Sequence, residues 1–175
     1  YDVLKIDKQT KHGKYVSTWV NGNPNVEGYY SFGLKDSLWI YFNRFKPIVE
    51  SRGFYDEGKK VGVWEYFNDK EQPMNRYNHS TGVLLYSTYT DTNKTHLIKT
   101  ADTIIRAKVI RPAFFLLGEK NQLRIIRDNI VYPEEAIQDN IFGTVIISFY
   151  IDIYGKAKDH EVIQSIGGGC DEEAL

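Results

Sequence analysis

Three consecutive residues, Asp159, His160 and Glu161, bring two carboxyls and an imidazole into one short stretch, the residue types that general acid–base hydrolysis uses. Two carboxylates can split a glycosidic or peptide bond when one donates a proton and the other activates water. On a strand, side chains alternate, so Asp159 and Glu161 point to one face and His160 to the other. A run of that kind reads first as a solvated face and second as a carboxylate site. His12, His79 and His96 stand far apart in the chain, and none has a metal-ligand neighbour at helical spacing, so no metal or cofactor site is expected. Cys170 is the only cysteine, which excludes an internal disulfide and a cysteine zinc cluster. Acids follow it, and they raise a thiol pKa instead of generating a thiolate. The GGG run before it lacks the Lys-Ser/Thr of a phosphate loop. NHS at Asn78 and NKT at Asn93 fit the glycosylation pattern, which matters only in a eukaryotic secretory route.

The elements that must position these residues follow from composition and repeat. A chain of 175 residues with 42% hydrophobic residues has room for one large domain or two small ones. Aromatic content of 14% favours sheet. A formal charge of -1 supplies no basic footprint, so nucleic acid is not an expected partner. No run approaches the ~18 apolar residues of a membrane span. No export signal opens the chain, which begins on Tyr1 as a processed or recombinant product would.

The first half repeats. LKDSLWIYFN (34–43) superimposes on KKVGVWEYFN (59–68), with Trp39 on Trp64, Tyr41 on Tyr66, Phe42 on Phe67 and Asn43 on Asn68, a shift of twenty-five. GYYSFG (28–33) falls on GFYDEG (53–58), HGKY (12–15) marks a weaker third unit, and Gly82 closes the last turn. Each unit is a hairpin, and successive hairpins at one shift form an antiparallel meander. Trp39 and Tyr41 share one face and Phe42 the other, so the aromatics are expected to be the repeat's core.

The second half has different composition. TDTNKTH (90–96) reads as a polar connector, placing the boundary near residue 95. DTIIRAKVI (102–110) reads as a strand, Pro112 as a break, and EKNQLRIIRDN (119–129) as an amphipathic helix with Leu123 and Ile126 on one face and Arg124 and Arg127 on the other. Pro133 suits the first position of a brief helix, with Glu134 and Glu135 in its first turn. TVIISFYID (144–152) puts Val145, Ile147, Phe149 and Ile151 on one face. IYGK (153–156) is a tight turn, and residues 157–166 return as a strand anchored by Val162, Ile163 and Ile166. The GGG run is expected to be a flexible loop before a helix capped near Asp171, with Glu172 and Glu173 in its first turn.

The repeat, over residues 11–89, resembles MORN-type repeats in the bacterial variant of the YwqK-like antitoxin family, which implies a binding or spacer module. YPEEA (132–136), Gly143 and Val145, the FYIDIYGK turn (149–156), Val162 and DEEAL (171–175) resemble the C-terminal domain of TonB energy transducers, with RPAFFLLGEKNQLRIIRDNIVYP (111–133) similar to the segment leading into that domain in Bacteroidetes-type members. That family grips outer-membrane receptors by adding a receptor strand to a sheet edge. By position the resemblance maps the receptor-facing segment onto Asn129, Ile130 and Val131. It departs from the family in lacking the membrane helix and Pro-rich spacer, and it stops at Leu175, before most of the family's second helix and its third strand.

These readings make the chain an α+β, β-rich protein: a hairpin-repeat domain over 1–95, then a TonB-C-like α/β sandwich with an antiparallel sheet over 96–175. The expected function is a non-enzymatic periplasmic or envelope adaptor that engages a protein partner by strand addition. The alternatives are an envelope enzyme using Asp159 and Glu161, a toxin-neutralising repeat protein, and a structural spacer. The strand 157–166 is expected to be paired or covered, by a second copy in an edge-to-edge dimer, by the repeat domain or by the start of its own domain.

Overall fold

Alternating aromatic strands separated by Gly and Asn turns build the first half. In a computed structural model, residues 9–89, 94–109, 112–152 and 155–175 are described. The chain divides into two compact units, Tyr1–Tyr89 with Leu116–Gly118, and Thr90–Phe115 with Glu119–Leu175.

The first unit is a seven-stranded antiparallel meander in strict chain order. Its strands are β1 (Gly13–Thr18), β2 (Pro24–Ser31), β3 (Leu34–Phe42), β4 (Val49–Asp56), β5 (Lys59–Phe67), β6 (Pro73–Asn78) and β7 (Val83–Ser87). The tight turns are two-residue connections with both residues left-handed, Phe32 (φ 47) with Gly33 (φ 84) and Glu57 (φ 46) with Gly58 (φ 80). That geometry matches the twist of the flanking strands. At the opposite ends, Asn43 and Asn68 fold their own loops: Asn43 Oδ1 accepts from the Phe45 and Lys46 amides, and Asn68 Oδ1 from the Lys70 and Gln72 amides. The repeated asparagine is thus a turn device.

The core lies on one face. Trp39 (1% exposed) and Trp64 (0%) are its largest members, with Val26 and Tyr66, and Tyr15, Tyr30, Tyr41, Tyr55, Tyr77, Leu116 and Leu117 pack around them. The ladder slips at the same place in each repeat. Glu27 pairs with Ile40 and Tyr29 with Asp36, so Ser37, Leu38 and Trp39 stand opposite Gly28 alone. Arg52 pairs with Glu65 and Phe54 with Val61, so Gly62, Val63 and Trp64 stand opposite Gly53. Left-handed Ser37 (φ 60) and Gly62 (φ 60) take up the extra length. Each indole N–H is then satisfied by backbone carbonyls, Trp39 Nε1 by Tyr29 and Asp36 and Trp64 Nε1 by Phe54.

Among its described residues the second unit contains two hairpins and three helices: β8 (Thr95–Lys99), β9 (Ile104–Lys108), α1 (Glu119–Asn129), α2 (Glu134–Gln138), β10 (Ile146–Ile151), β11 (Ala157–Gln164) and α3 (Cys170–Ala174). Among the described residues β8 pairs only with β9 and β10 only with β11. Thr95 and His96, read above as connector, lie in β8, because their alternation with Leu97 and Ile98 pairs with β9. The strand expected over 102–110 is shorter, and its last residue, Ile110, lies outside the described residues, as do Arg111, Thr90, Asp91, Thr92 and Asn93 of the connector and Ile153 and Tyr154 of the turn. α1 has the expected bounds but buries no residue; Leu123 and Ile126 are both exposed. Pro133 is the cap of α2 and not its first helical residue, with ψ 139 still extended.

Candidate functional site

The segment carried over from the family resemblance ends α1. Asn129 Nδ2 donates back to the Ile125 carbonyl at 2.7 Å, and the Ile130 amide continues the helix to Ile126. Ile130 and Val131 are exposed, Val131 at 70%, while the Val131 amide donates to Glu173 Oε1 at 2.8 Å. Tyr132, which precedes the α2 cap, donates from its hydroxyl to the Ile141 carbonyl. These bonds fix the backbone and leave the apolar side chains at the surface.

The glycine run forms a loop before α3, in which Gly168 and Gly169 have close neighbours while Gly167 stands in open space. Gly167, Gly168 and Gly169 are all left-handed, and a β-carbon on Gly168 would lie 2.8 Å from Ile141 Cδ1 and 3.2 Å from Ala136 Cβ. Asp171 closes the run: Oδ1 accepts from the Ile166 amide at 3.1 Å and Oδ2 accepts the Ser165 hydroxyl. Those donors hold its carboxyl below the usual range, the Ser165 hydroxyl most. Cys170 is a buried free thiol at the start of α3.

The β10–β11 hairpin departs from simple alternation. Ile146 pairs with Gln164 and Ile147 with Val162, leaving Ile163 as an extra residue; Ser148 pairs with Glu161 and Tyr150 with Lys158, leaving Phe149 opposite both Asp159 and His160. Both extra residues belong to β11, and Asp159 is left-handed (φ 53). Three expectations change. Asp159 and Glu161 are separated by a bulge, so strict alternation no longer aligns them. Ile163 is 59% exposed and anchors nothing. Phe149 (42% exposed) and Ile151 leave the inner face, and Tyr150 takes the half-buried position. On either side of the two residues outside the description, the Gly155 amide donates to the Asp152 carbonyl and the Lys156 amide to Asp152 Oδ1.

Asp159 is engaged. Lys99 Nζ on β8 lies 2.5 Å from its carboxylate and 4.2 Å above the Tyr150 ring. The Lys99 hydrogen bond holds the Asp159 carboxyl below its ordinary value and raises Lys99 in return. This arrangement fastens the β8–β9 hairpin to β10–β11; a proton donor for hydrolysis needs the opposite shift. His160 lies 5.8 Å from the Phe149 ring. Among the described residues no three His, Cys, Asp or Glu side chains are placed to hold a metal.

Among the described residues β11 pairs with β10 alone, and apart from half-buried Val162 its residues are exposed. Among them β10 likewise pairs with β11 alone. The two edges differ: β11 carries both bulges and four charged residues or histidine, whereas β10, IISFYI, is regular and uncharged.

The first unit carries a second cluster that sequence reading missed. Lys35 Nζ sits 4.5 Å above the Trp39 ring and donates to Tyr41 Oη at 2.8 Å; Lys60 Nζ sits 4.0 Å above Trp64 and 5.7 Å from Tyr66. The signal was present, since Lys35 and Lys60 are also related by the shift of twenty-five. His79 bonds the Tyr66 hydroxyl at 2.8 Å. The sheet's other face has an open depression of about 520 Å³ floored by Glu65 between Arg52 and Arg76, at 2.7 and 3.0 Å.

Among the described residues no helix is long and apolar enough to cross a membrane. No curated protein and no solved structure matches the chain. Residues 128–175, which hold Asn129 to Val131, α2, the β10–β11 hairpin and α3, match the family of the Gram-negative bacterial TonB protein C-terminal, and to that domain this part of the chain is similar.

Proposed function

We propose that the chain is a non-enzymatic binding protein of the bacterial envelope, acting in the periplasm, whose C-terminal part takes an extended segment of a protein partner onto the free edge of β10. The family match over 128–175 supports an envelope role, and the observation that carries the binding mode is the contrast between the two edges of one hairpin. Strand addition needs a regular row of backbone donors and acceptors. β10 offers one with no charge and no bulge, while the bulges and charges of β11 blunt its edge. An outer-membrane protein is the partner class that the family resemblance suggests, with Asn129, Ile130 and Val131 beside the docked segment. Residues 1–95 form a MORN-like repeat domain that serves as a second binding or spacing module, and 96–175 form the TonB-C-like sandwich.

The test places lysine, the usual guard of natural edges, at exposed positions of either strand. Phe149→Lys should abolish capture of an envelope partner and Ile163→Lys should leave it, with both variants folded by circular dichroism. Equal capture by both variants, or hydrolytic turnover that disappears with Asp159→Ala, would overturn the proposal.

A further inference from the structure

We propose that Lys60 is a nucleophilic amine built into the repeat sheet and the chain's preferred site of acylation by small activated acyl donors of the acyl phosphate class. The geometry singles it out. Its Nζ lies 4.0 Å above the Trp64 ring and 5.7 Å from Tyr66, and among the described residues no carboxylate or hydroxyl accepts a hydrogen bond from it. Lys35, its equivalent one repeat earlier, has the same aromatic floor and in addition the Tyr41 hydroxyl at 2.8 Å. Lys60 therefore has the cage without the acceptor.

Among the described residues no carboxylate faces it. On β3 stands the Lys35 ammonium, on β4 its ladder partner Tyr55, on β5 Tyr66, and beyond β6 His79, whose ring lies 5.9 Å from that of Trp64. Burial, with repulsion from Lys35 second, pushes the Lys60 amine down to about 8, and burial with repulsion from Lys60 pushes His79 down to about 4. The Trp64 and Tyr66 ring faces attract a cation, and the water stripped from the amine by burial acts in the opposite sense. Lys60 is only half-buried, so a small donor reaches it.

The reaction needs no further reagent. The neutral amine's lone pair adds to the acyl carbon and the C–N bond forms. The C–O bond to phosphate then breaks, phosphate leaves with the electron pair, and the surplus amine proton passes to solvent.

Acetyl phosphate is the probe, applied to the whole chain between pH 6.5 and 9.5, with each lysine followed by peptide mass spectrometry. Lys59, its exposed neighbour, and Lys35 are internal controls. At pH 7.5 Lys60 should acetylate roughly tenfold or more faster than Lys59, the expected order for an amine with a much larger neutral fraction. Its rate should level off above pH 8, while that of free Nα-acetyl-lysine in the same mixture, an amine with an ordinary pKa near 10.4, keeps rising. Acetylation removes a charge that faces His79, so the His79 titration, followed by NMR, should move upward; Lys60→Arg should abolish both the adduct and that movement. A Lys60 rate no greater than that of Lys59 at pH 7.5, or one still climbing in parallel with the free amine at pH 9.5, would overturn the proposal.

Discussion

Gly53 lies directly under the indole of Trp64, so closely that a β-carbon on Gly53 would come within 2.4 Å of the ring; Gly28 stands in the same relation to Trp39, at 2.2 Å. The glycine in each repeat therefore exists for the tryptophan of the next strand. Gly53→Ala and Gly28→Ala should each destabilise the first unit by about 2–3 kcal/mol, because neither backbone nor ring can give way without opening the core. Urea denaturation followed by tryptophan fluorescence measures this. A loss below about 0.5 kcal/mol, the range of ordinary surface changes, would mean that the ring does not sit there.

The pH dependence of the first unit follows from two lowered pKa values. His79, at about 4 when folded, favours folding while neutral, so its contribution is present above its ordinary value near 6.5 and is lost as pH falls through 4. Lys60, at about 8 when folded, opposes folding while charged, so stability should rise as pH goes from 8 towards 10.5. Tyr41 and Tyr66 are pushed up by burial, so their contribution is lost as pH passes the ordinary tyrosine value near 10, which caps the rise. Thermal unfolding against pH should show the rise above 8, and Lys60→Met should remove it while raising the midpoint at pH 7. An unchanged alkaline limb in Lys60→Met would refute the assignment.

Asp171 ties the glycine run to α3 through the Ile166 amide and the Ser165 hydroxyl. Asp171→Ala should speed hydrogen exchange at the Ile166 amide tenfold or more while leaving β10 amides alone. The depressed carboxyl pKa makes the same bond fail in acid: wild-type protection at Ile166 should fall as pH drops below the ordinary aspartate range, after correction for intrinsic exchange. Protection that is indifferent to both changes would show that the bond does not hold the loop.

The hairpin repeat was legible in sequence because its signals are local: Trp39 and Trp64, Asn43 and Asn68 and the turn glycines each act within a few residues of themselves. α1 was legible for the same reason. The slips were not. Nothing in LKDSLW announces that Ser37 turns left-handed, since the cause is the bulk of Trp39 against Gly28 on another strand. The bulge at Asp159 likewise depends on Phe149 and on Lys99, sixty residues away, and so the apparent Asp159 and Glu161 pair came apart. β8 was missed because Thr95 and His96 are polar and their pairing is with the neighbouring strand β9.

The exposed side chains that follow α1 offer a second handle on partner binding. Asn129→Ala combined with Val131→Asp should weaken capture at least fivefold, since Val131 presents its side chain to solvent while only its amide serves the fold. Circular dichroism and thermal unfolding check that the fold persists. Unchanged capture would remove these residues from the docking surface.

The most direct measurement of the account is hydrogen exchange on the second unit, free and in the complex captured from the envelope. A partner strand laid on β10 should protect amides within Ile146–Ile151 at least tenfold and leave the seven-stranded sheet unchanged. Protection confined to the seven-stranded sheet, or to Ala157–Gln164 with none in β10, would contradict it.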